Sequence, residues 1–208
     1  EIALTAIARA NADAHLIGMT NMPSLITMPI ERQTQFKLDD FHLIANLVAD
    51  PSAFSVVADS PVRDIADLIT RARAQPGAIS FGTSGPGTDE HLAMAFFEQE
   101  TGTSFNHVHY RGAGPMATDL IGRHIDMGGL NVGEAMPHGD RLRILVQGGA
   151  RRSRFAPGVP TFREAGVPIE MSSERGLIIN RGVDSGVAKQ IMAATAAGLR
   201  AMAVAMAN

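Results

Sequence analysis

The residues best suited to chemistry lie in one run, Phe81-Gly82-Thr83-Ser84-Gly85-Pro86-Gly87-Thr88-Asp89-Glu90-His91-Leu92. Strand character ends near Phe81, and apolar Leu92, Ala95 and Phe96 set the start of a helix at Thr88. Between them lies a loop of Gly, Ser, Thr and Pro. Glycines let the backbone approach a ligand closely, and the first amides of a helix have no acceptor within it. The helix dipole adds a preference for an anion at that end. The same composition also builds a plain tight turn. No Gly-Lys-Ser/Thr follows, and the Gly-x-Gly-x-x-Gly spacing of a dinucleotide fold is missing.

Three further segments end strands on polar residues. In His107-Val108-His109-Tyr110-Arg111-Gly112-Ala113-Gly114-Pro115, a strand again runs into a helix, with proline near the helix start. His107 and His109 share a strand face, yet no carboxylate stands at a companion spacing, so no metal site is expected. Tyr110, the only tyrosine, either closes over a pocket or packs in the core. Asn131 ends the strand candidate after Gly122-Arg123-His124, where α/β proteins bind ligands, and it equally suits a helix N-cap. Thr20 and Asn21 follow the strand candidate His15–Met19. For nucleophilic catalysis, Ser84 lacks the Gly-x-Ser-x-Gly elbow and His91 stands seven residues on. Asp89 and Glu90 occupy successive helical positions and so point in different directions. The expectation is a protein that is not an enzyme and needs no cofactor or metal; a small serine hydrolase using Ser84 and His91 is the weakest alternative.

These residues need elements to hold them. Strand candidates are His15–Met19, His42–Val48, Phe54–Ala58, Ile79–Gly82, Asn106–Tyr110, Asp126–Leu130, Arg143–Gly148, Glu170–Ser173 and Gly176–Ile179. Helix candidates are Ile2–Asn11, Val62–Ala74, Thr88–Thr101, Gly114–Arg123, Val132–Met136, Thr161–Ala165 and Ser185–Ala207. Strand and helix alternate at the spacing of βαβ units, which predicts an α/β fold with mainly parallel sheets flanked by helices.

Composition narrows the classes. Of 208 residues, 45% are hydrophobic and 19% charged, which suits a globular chain of one large or two small domains. Eighteen basic against 21 acidic residues leave a formal charge of −3. With no basic run beyond Arg151, Arg152 and Arg154, read as a solvated loop, no nucleic-acid partner is expected. The absence of cysteine excludes disulfides, thiolate metal sites and a cysteine nucleophile. No apolar run reaches the ~20 residues of a membrane-spanning helix. Glu1–Arg9 lacks the layout of a signal peptide and reads as the middle of an amphipathic helix. Ala205–Asn208 stops in helical pattern without a C-cap glycine, so the expectation is a chain incomplete at both ends.

Taken in order, these segments resemble the solute-binding receptors of tripartite tricarboxylate transporters, the Bug family. Leu16-Ile17-Gly18-Met19-Thr20, Phe36-Lys37-Leu38-Asp39-Asp40-Phe41 and Ser60-Pro61-Val62-Arg63-Asp64-Ile65 resemble successive stretches of that family. Gly85-Pro86-Gly87-Thr88 with His91-Leu92, and Asp119-Leu120-Ile121-Gly122, follow at the family's intervals. Pro157-Gly158-Val159-Pro160-Thr161-Phe162-Arg163-Glu164-Ala165-Gly166 is similar to its proline–threonine–glutamate–alanine–glycine signature. The resemblance runs from Ile2 to Asn208.

What the resemblance implies is a two-lobe periplasmic-binding-protein type II fold with an incomplete first lobe. Residues 1–53 and 173–208 would belong to the first lobe and 54–172 to the second, with crossings near Phe54–Ala58 and Met171–Gly176. A periplasmic monomer would capture a small carboxylate or amino-acid-like ligand by hinge closure and present it to membrane transporter subunits or a sensor. Carried over by position, ligand contacts would come from Ser84, Gly85, Gly87, Thr88 and Asn131, joined by Thr20 and Asn21. Where relatives carry serines after the threonine, this chain has Asp89 and Glu90, which are expected to face solvent. An inward-facing Asp89 would call for a ligand with an amine or a neutral end. The main alternative is the effector-binding module of a transcription regulator, which shares the two-lobe plan.

Overall fold

The computed structural model describes residues 1–207, with side chains through residue 203; the expected helical stop at Asn208 lies outside the described residues. In chain order the elements begin with α1 (Ile2–Ala8), β1 (Ile17–Met22), α2 (Ser24–Glu31), β2 (Phe41–Val57), α3 (Ile65–Ala74), β3 (Ser80–Thr83) and α4 (Asp89–Thr101). They continue with β4 (Asn106–His109), α5 (Ala113–Ile121), β5 (Met127–Asn131), α6 (Val132–Ala135), β6 (Leu142–Gln147), β7 (Ser172–Asn180) and α7 (Ser185–Ala207). Two compact units divide them, Glu1–Ala49 with Glu174–Asn208, and Asp50–Ser173. The chain passes between the units along β2 and β7.

In the first unit, β1 pairs antiparallel with β7, with Thr20 opposite Gly176 and Asn21 opposite Arg175. Leu4 and Ile7 of α1, Leu25 of α2, Phe36, Phe41 and Ile178 form one core there, and Ile44, Ile179, Val183 and Ala188 form another. Helix α2, with Pro29 inside it, has no counterpart among the sequence candidates.

The second unit positions the residues of interest. Its strands run in the order β2-β5-β3-β4, with β6 also paired to β2. Strand β3 is parallel to both β4 and β5, whereas β2 is antiparallel to β5 and β6. The α/β plan holds, and β3 with its two parallel neighbours forms the parallel part of this unit's sheet. Two pairs of strand candidates are each one strand. Asp50-Pro51 reads as a break, yet β2 continues through it, since a proline is tolerated where its missing N–H is not needed by the ladder; the pairing resumes with Ser52 donating to the Met171 carbonyl at 3.0 Å. The helix expected at Thr161–Ala165 is instead a run of turns, joined to Gln147 by a single parallel bridge. The Gln147 side chain fixes the chain just before it, accepting from the Ser153 amide and donating to the Ala156 and Val159 carbonyls.

The core of this unit centres on Phe54. Its ring meets Phe81, Phe97 and Phe162 edge to face at centroid distances of 5.0, 5.5 and 4.9 Å, a geometry that adds to the gain from burial alone. Helix α3 packs Ile65, Leu68 and Ala72 into the same cluster. Its start is set by Asp64, whose side chain accepts from the Asp67 amide at 2.8 Å. Helix α4 ends at Gly102 in the left-handed region, φ 61°, where glycine is the residue of least strain.

Candidate functional site

Strand β3 delivers the chain at Thr83 into a five-residue turn, Ser84 to Thr88, that ends where α4 begins, at the N-cap Thr88. Gly87 has φ 72°, a backbone state that glycine adopts without the Cβ penalty. The hydroxyl of Thr88 donates to the Gly85 carbonyl at 2.7 Å and closes the turn on itself. The Gly112 amide donates to the Ser84 carbonyl, and the Tyr110 amide to that of Thr83, which ties the turn to the segment after β4.

Several donors expected to serve a ligand are already used inside the protein. The Ser84 amide donates to Oε1 of Glu90 at 2.6 Å, and its hydroxyl donates to the same oxygen. The Gly87 amide donates to Nδ1 of His91 at 3.0 Å. Asn131, the N-cap of α6, spends its side-chain amide on Asp89 Oδ2 at 2.7 Å and on the Asp50 carbonyl at 3.1 Å. Its main-chain amide is taken by Glu134. Asn131 therefore positions its neighbours rather than offering its donors outward. Among the described residues, the main-chain amides of Gly85, Thr88 and Asp89 have no protein acceptor; the last two stand at the positive end of α4's dipole.

The expectation that Asp89 and Glu90 face solvent is overturned: each is 2% exposed. Both carboxyls turn inward because neighbouring elements make room and supply partners. Asp89 accepts from Asn131 and from the hydroxyl of Ser52 on β2, itself fully buried. Glu90 lies against Gly129 of β5, where any Cβ would come within 2.5 Å of the Glu90 Cβ and 2.8 Å of the Phe81 ring. Burial, reinforced by the neighbouring Asp89 carboxylate, pushes the Glu90 carboxyl up to about 8. It is mostly protonated at neutral pH, so the first turn of α4 carries less negative charge than its sequence suggests. A third acid, Asp50, is also buried and caps α6 through the Gly133 amide at 2.9 Å. Neither composition nor spacing singled out Ser52 or Asp50; Asp50-Pro51-Ser52 read only as an interruption between strands.

Ser84 and His91 do not form a catalytic pair, since the serine bonds Glu90 and Nδ1 of the histidine holds Gly87. His107 and His109 do share one face of β4, and His91 packs edge to face against both, at 5.4 and 4.9 Å. Among the described residues, no group of three or more His, Cys, Asp or Glu is placed to hold a metal ion. Tyr110 belongs to the core: it packs with Met116 and Leu120, and its hydroxyl donates to Asp119 at 2.8 Å. Burial is the first cause, and that bond the second, of its phenol's rise to about 12. Thr20 and Asn21 lie on β1 in the first unit, the Thr20 hydroxyl buried without a partner among the described residues.

A family model for the tripartite tricarboxylate transporter receptors matches residues 1–207. A UPF0065 protein of Pseudomonas sp. (strain P51) is 31% identical over 192 residues, which cover 90% of this chain and 57% of the relative. The chain spans about half the length of the curated relatives it matches, 53% and 57% of two of them. The structure of a periplasmic transporter superposes with a TM-score of 0.84 at 26% identity, over 91% of this chain and 65% of the other. An R. palustris protein with adipate superposes with a TM-score of 0.83 at 27% identity, over the same shares.

Proposed function

Because the chain belongs to the tripartite tricarboxylate transporter receptor family, we propose that it captures a small carboxylate outside the cytoplasmic membrane and delivers it to a transporter, without catalysing any reaction. The observation that carries this reading is the turn before α4. There, unclaimed amides at Thr88 and Asp89 meet the helix dipole, while both first-turn carboxyls are turned away into the core. An anion at that point gains charge-assisted hydrogen bonds, each worth about 1.5–3 kcal/mol. A few of them supply much of the ~8 kcal/mol of a micromolar complex.

In this reading Thr88 and Gly85 contact the ligand directly, and Ser84 and Gly87 shape the turn around it. Asn131 acts through Asp89. The adipate held by the R. palustris relative makes dicarboxylates the first class to test. The inward Asp89 does not call for an amine on the ligand, because Ser52 and Asn131 already occupy its Oδ2. The receptor works as a monomer, and its partners are the membrane subunits of the transporter.

The test is isothermal titration calorimetry against mono-, di- and tricarboxylates and amino acids. Saturable heat from at least one carboxylate, reduced at least tenfold in affinity by Thr88→Pro, is the expected result; Pro removes the Thr88 amide and suits the N-cap's φ of −76°. Silence from every carboxylate sinks the proposal.

A further inference from the structure

Around the carboxylate turn stand three imidazoles whose placement the proposed binding role does not itself require. Gly87 donates its amide hydrogen to Nδ1 of His91 at 3.0 Å. A main-chain N–H can donate only to a nitrogen with a free lone pair, so the turn as built needs a neutral His91 ring. His109 Nδ1 bonds the hydroxyl of Thr83 at 2.7 Å. Two histidines thus hold the two ends of the turn from Thr83 to Gly87.

The three rings pack together. His91 packs against His107 and His109 with centroids 5.4 and 4.9 Å apart, and those two are 6.2 Å from each other. From α4, the Glu98 carboxylate bonds Nε2 of His107 at 3.1 Å. Nδ1 of His107 is buried with no partner among the described residues, so a proton added there becomes a buried donor without an acceptor. Glu90, the other ionisable neighbour in the first turn, is turned to Ser84 and already mostly protonated at neutral pH. From β3, Phe81 meets His107 and brings no charge.

We propose that His91, backed by His107 and His109, is a positioning residue that holds the carboxylate turn in shape only while its ring is neutral, so that mild acid releases the turn and its ligand. The proposal rests on the carboxylate-binding reading above and adds its regulation. Protonation at Nδ1 places a hydrogen where the Gly87 hydrogen points and adds charge among rings 5 to 6 Å away. Loss of this brace lets Gly87 leave the conformation that sets the Thr88 and Asp89 amides. Histidine titrates near 6.5 in the open chain, so the test spans pH 7.5 to 5.0.

Two readouts separate the switch from the binding role. The first needs no ligand: the 15N–1H resonance of Gly87 is followed from pH 7.5 to 5.0, with amides of β5 as reference. Wild type is expected to show a Gly87 shift that titrates together with the His91 ring, while β5 stays still. The second is calorimetry with adipate at the two pH values, where affinity is expected to fall about tenfold or more at pH 5.0. His91→Asn keeps an acceptor near the Nδ1 position that cannot titrate. Its affinity ratio between the two pH values is expected close to one, whatever its absolute affinity, and its Gly87 resonance is expected to stay flat. A Gly87 resonance in wild type that ignores pH overturns the switch, as do shifts spread equally over β5. If Gly87 titrates as expected but no carboxylate binds, the switch stands and the receptor reading fails.

Discussion

The side-chain amide of Asn131, at the end of β5, lies 2.7 Å from Oδ2 of Asp89, in the first turn of α4. Asn131, expected to contact a ligand, holds Asp89 and the Asp50 carbonyl with its side-chain amide. It fixes a carboxylate buried in the first turn of α4. With Ser52 as the second donor, Asp89 ties β2, β5 and α4 together. The acids after Thr88 thereby become part of the scaffold, and the helix end keeps its positive character.

Removing that brace should be costly. Asn131→Ala leaves Asp89 buried with one donor fewer and removes the bond to the Asp50 carbonyl, a loss of about 1–3 kcal/mol. Urea unfolding at pH 7 should show a lower midpoint with little change in slope. Asn131→Asp should be worse at pH 7, because two carboxylates then face each other, and should recover part of the loss at pH 4.5.

Glu90 gives stability a pH dependence of definite sign. Its carboxyl stands at about 8 in the fold against 4.5 for an ordinary glutamate. A group raised by folding contributes stability that is complete below the unfolded value and is lost as pH rises through the folded one. Wild-type stability should therefore fall between pH 4.5 and 8 relative to Glu90→Gln. The two proteins should be close at pH 4.5, and the variant should be the more stable at pH 9. Chemical denaturation at a series of pH values checks this, and parallel curves would refute the buried, protonated Glu90.

Gly129 is where Glu90 finds its space. A methyl at this position would lie 2.5 Å from the Glu90 Cβ and 2.8 Å from the Phe81 ring. Gly129→Ala is expected to destabilise by about 1–3 kcal/mol through overpacking. It should also move the Ser84 amide resonance, since Ser84 bonds the displaced carboxyl.

Phe54 tests the core beneath the site. Truncation to alanine removes three edge-to-face contacts and a fully buried ring, which costs about 3–5 kcal/mol. Calorimetric melting should drop accordingly.

Sequence made the run from β3 through the turn into α4 readable, because glycine and proline chemistry and helix periodicity are local. The same holds for α3, whose Asp64 cap and apolar face lie within one short segment. What local patterns could not carry was the fate of Asp89 and Glu90, which depends on Ser52, Gly129 and Asn131 arriving from β2 and β5. An adjacent pair of acids in a helix's first turn usually signals a solvated end; here remote residues supply the donors and the space. The strand candidates on either side of Asp50-Pro51 are one strand, because β2 accommodates the proline. Thr161–Ala165 has helical composition, yet Gln147's bonds hold the flanking chain in turns.

A carboxylate gripped by the start of α4 must perturb the amides there. The decisive experiment is nuclear magnetic resonance titration of 15N-labelled protein with the carboxylate that gives calorimetric heat. The Thr88 and Asp89 amides should show the largest saturable downfield shifts, at the concentrations that saturate the heat. Saturable shifts that map elsewhere and leave those two amides unmoved would contradict that grip.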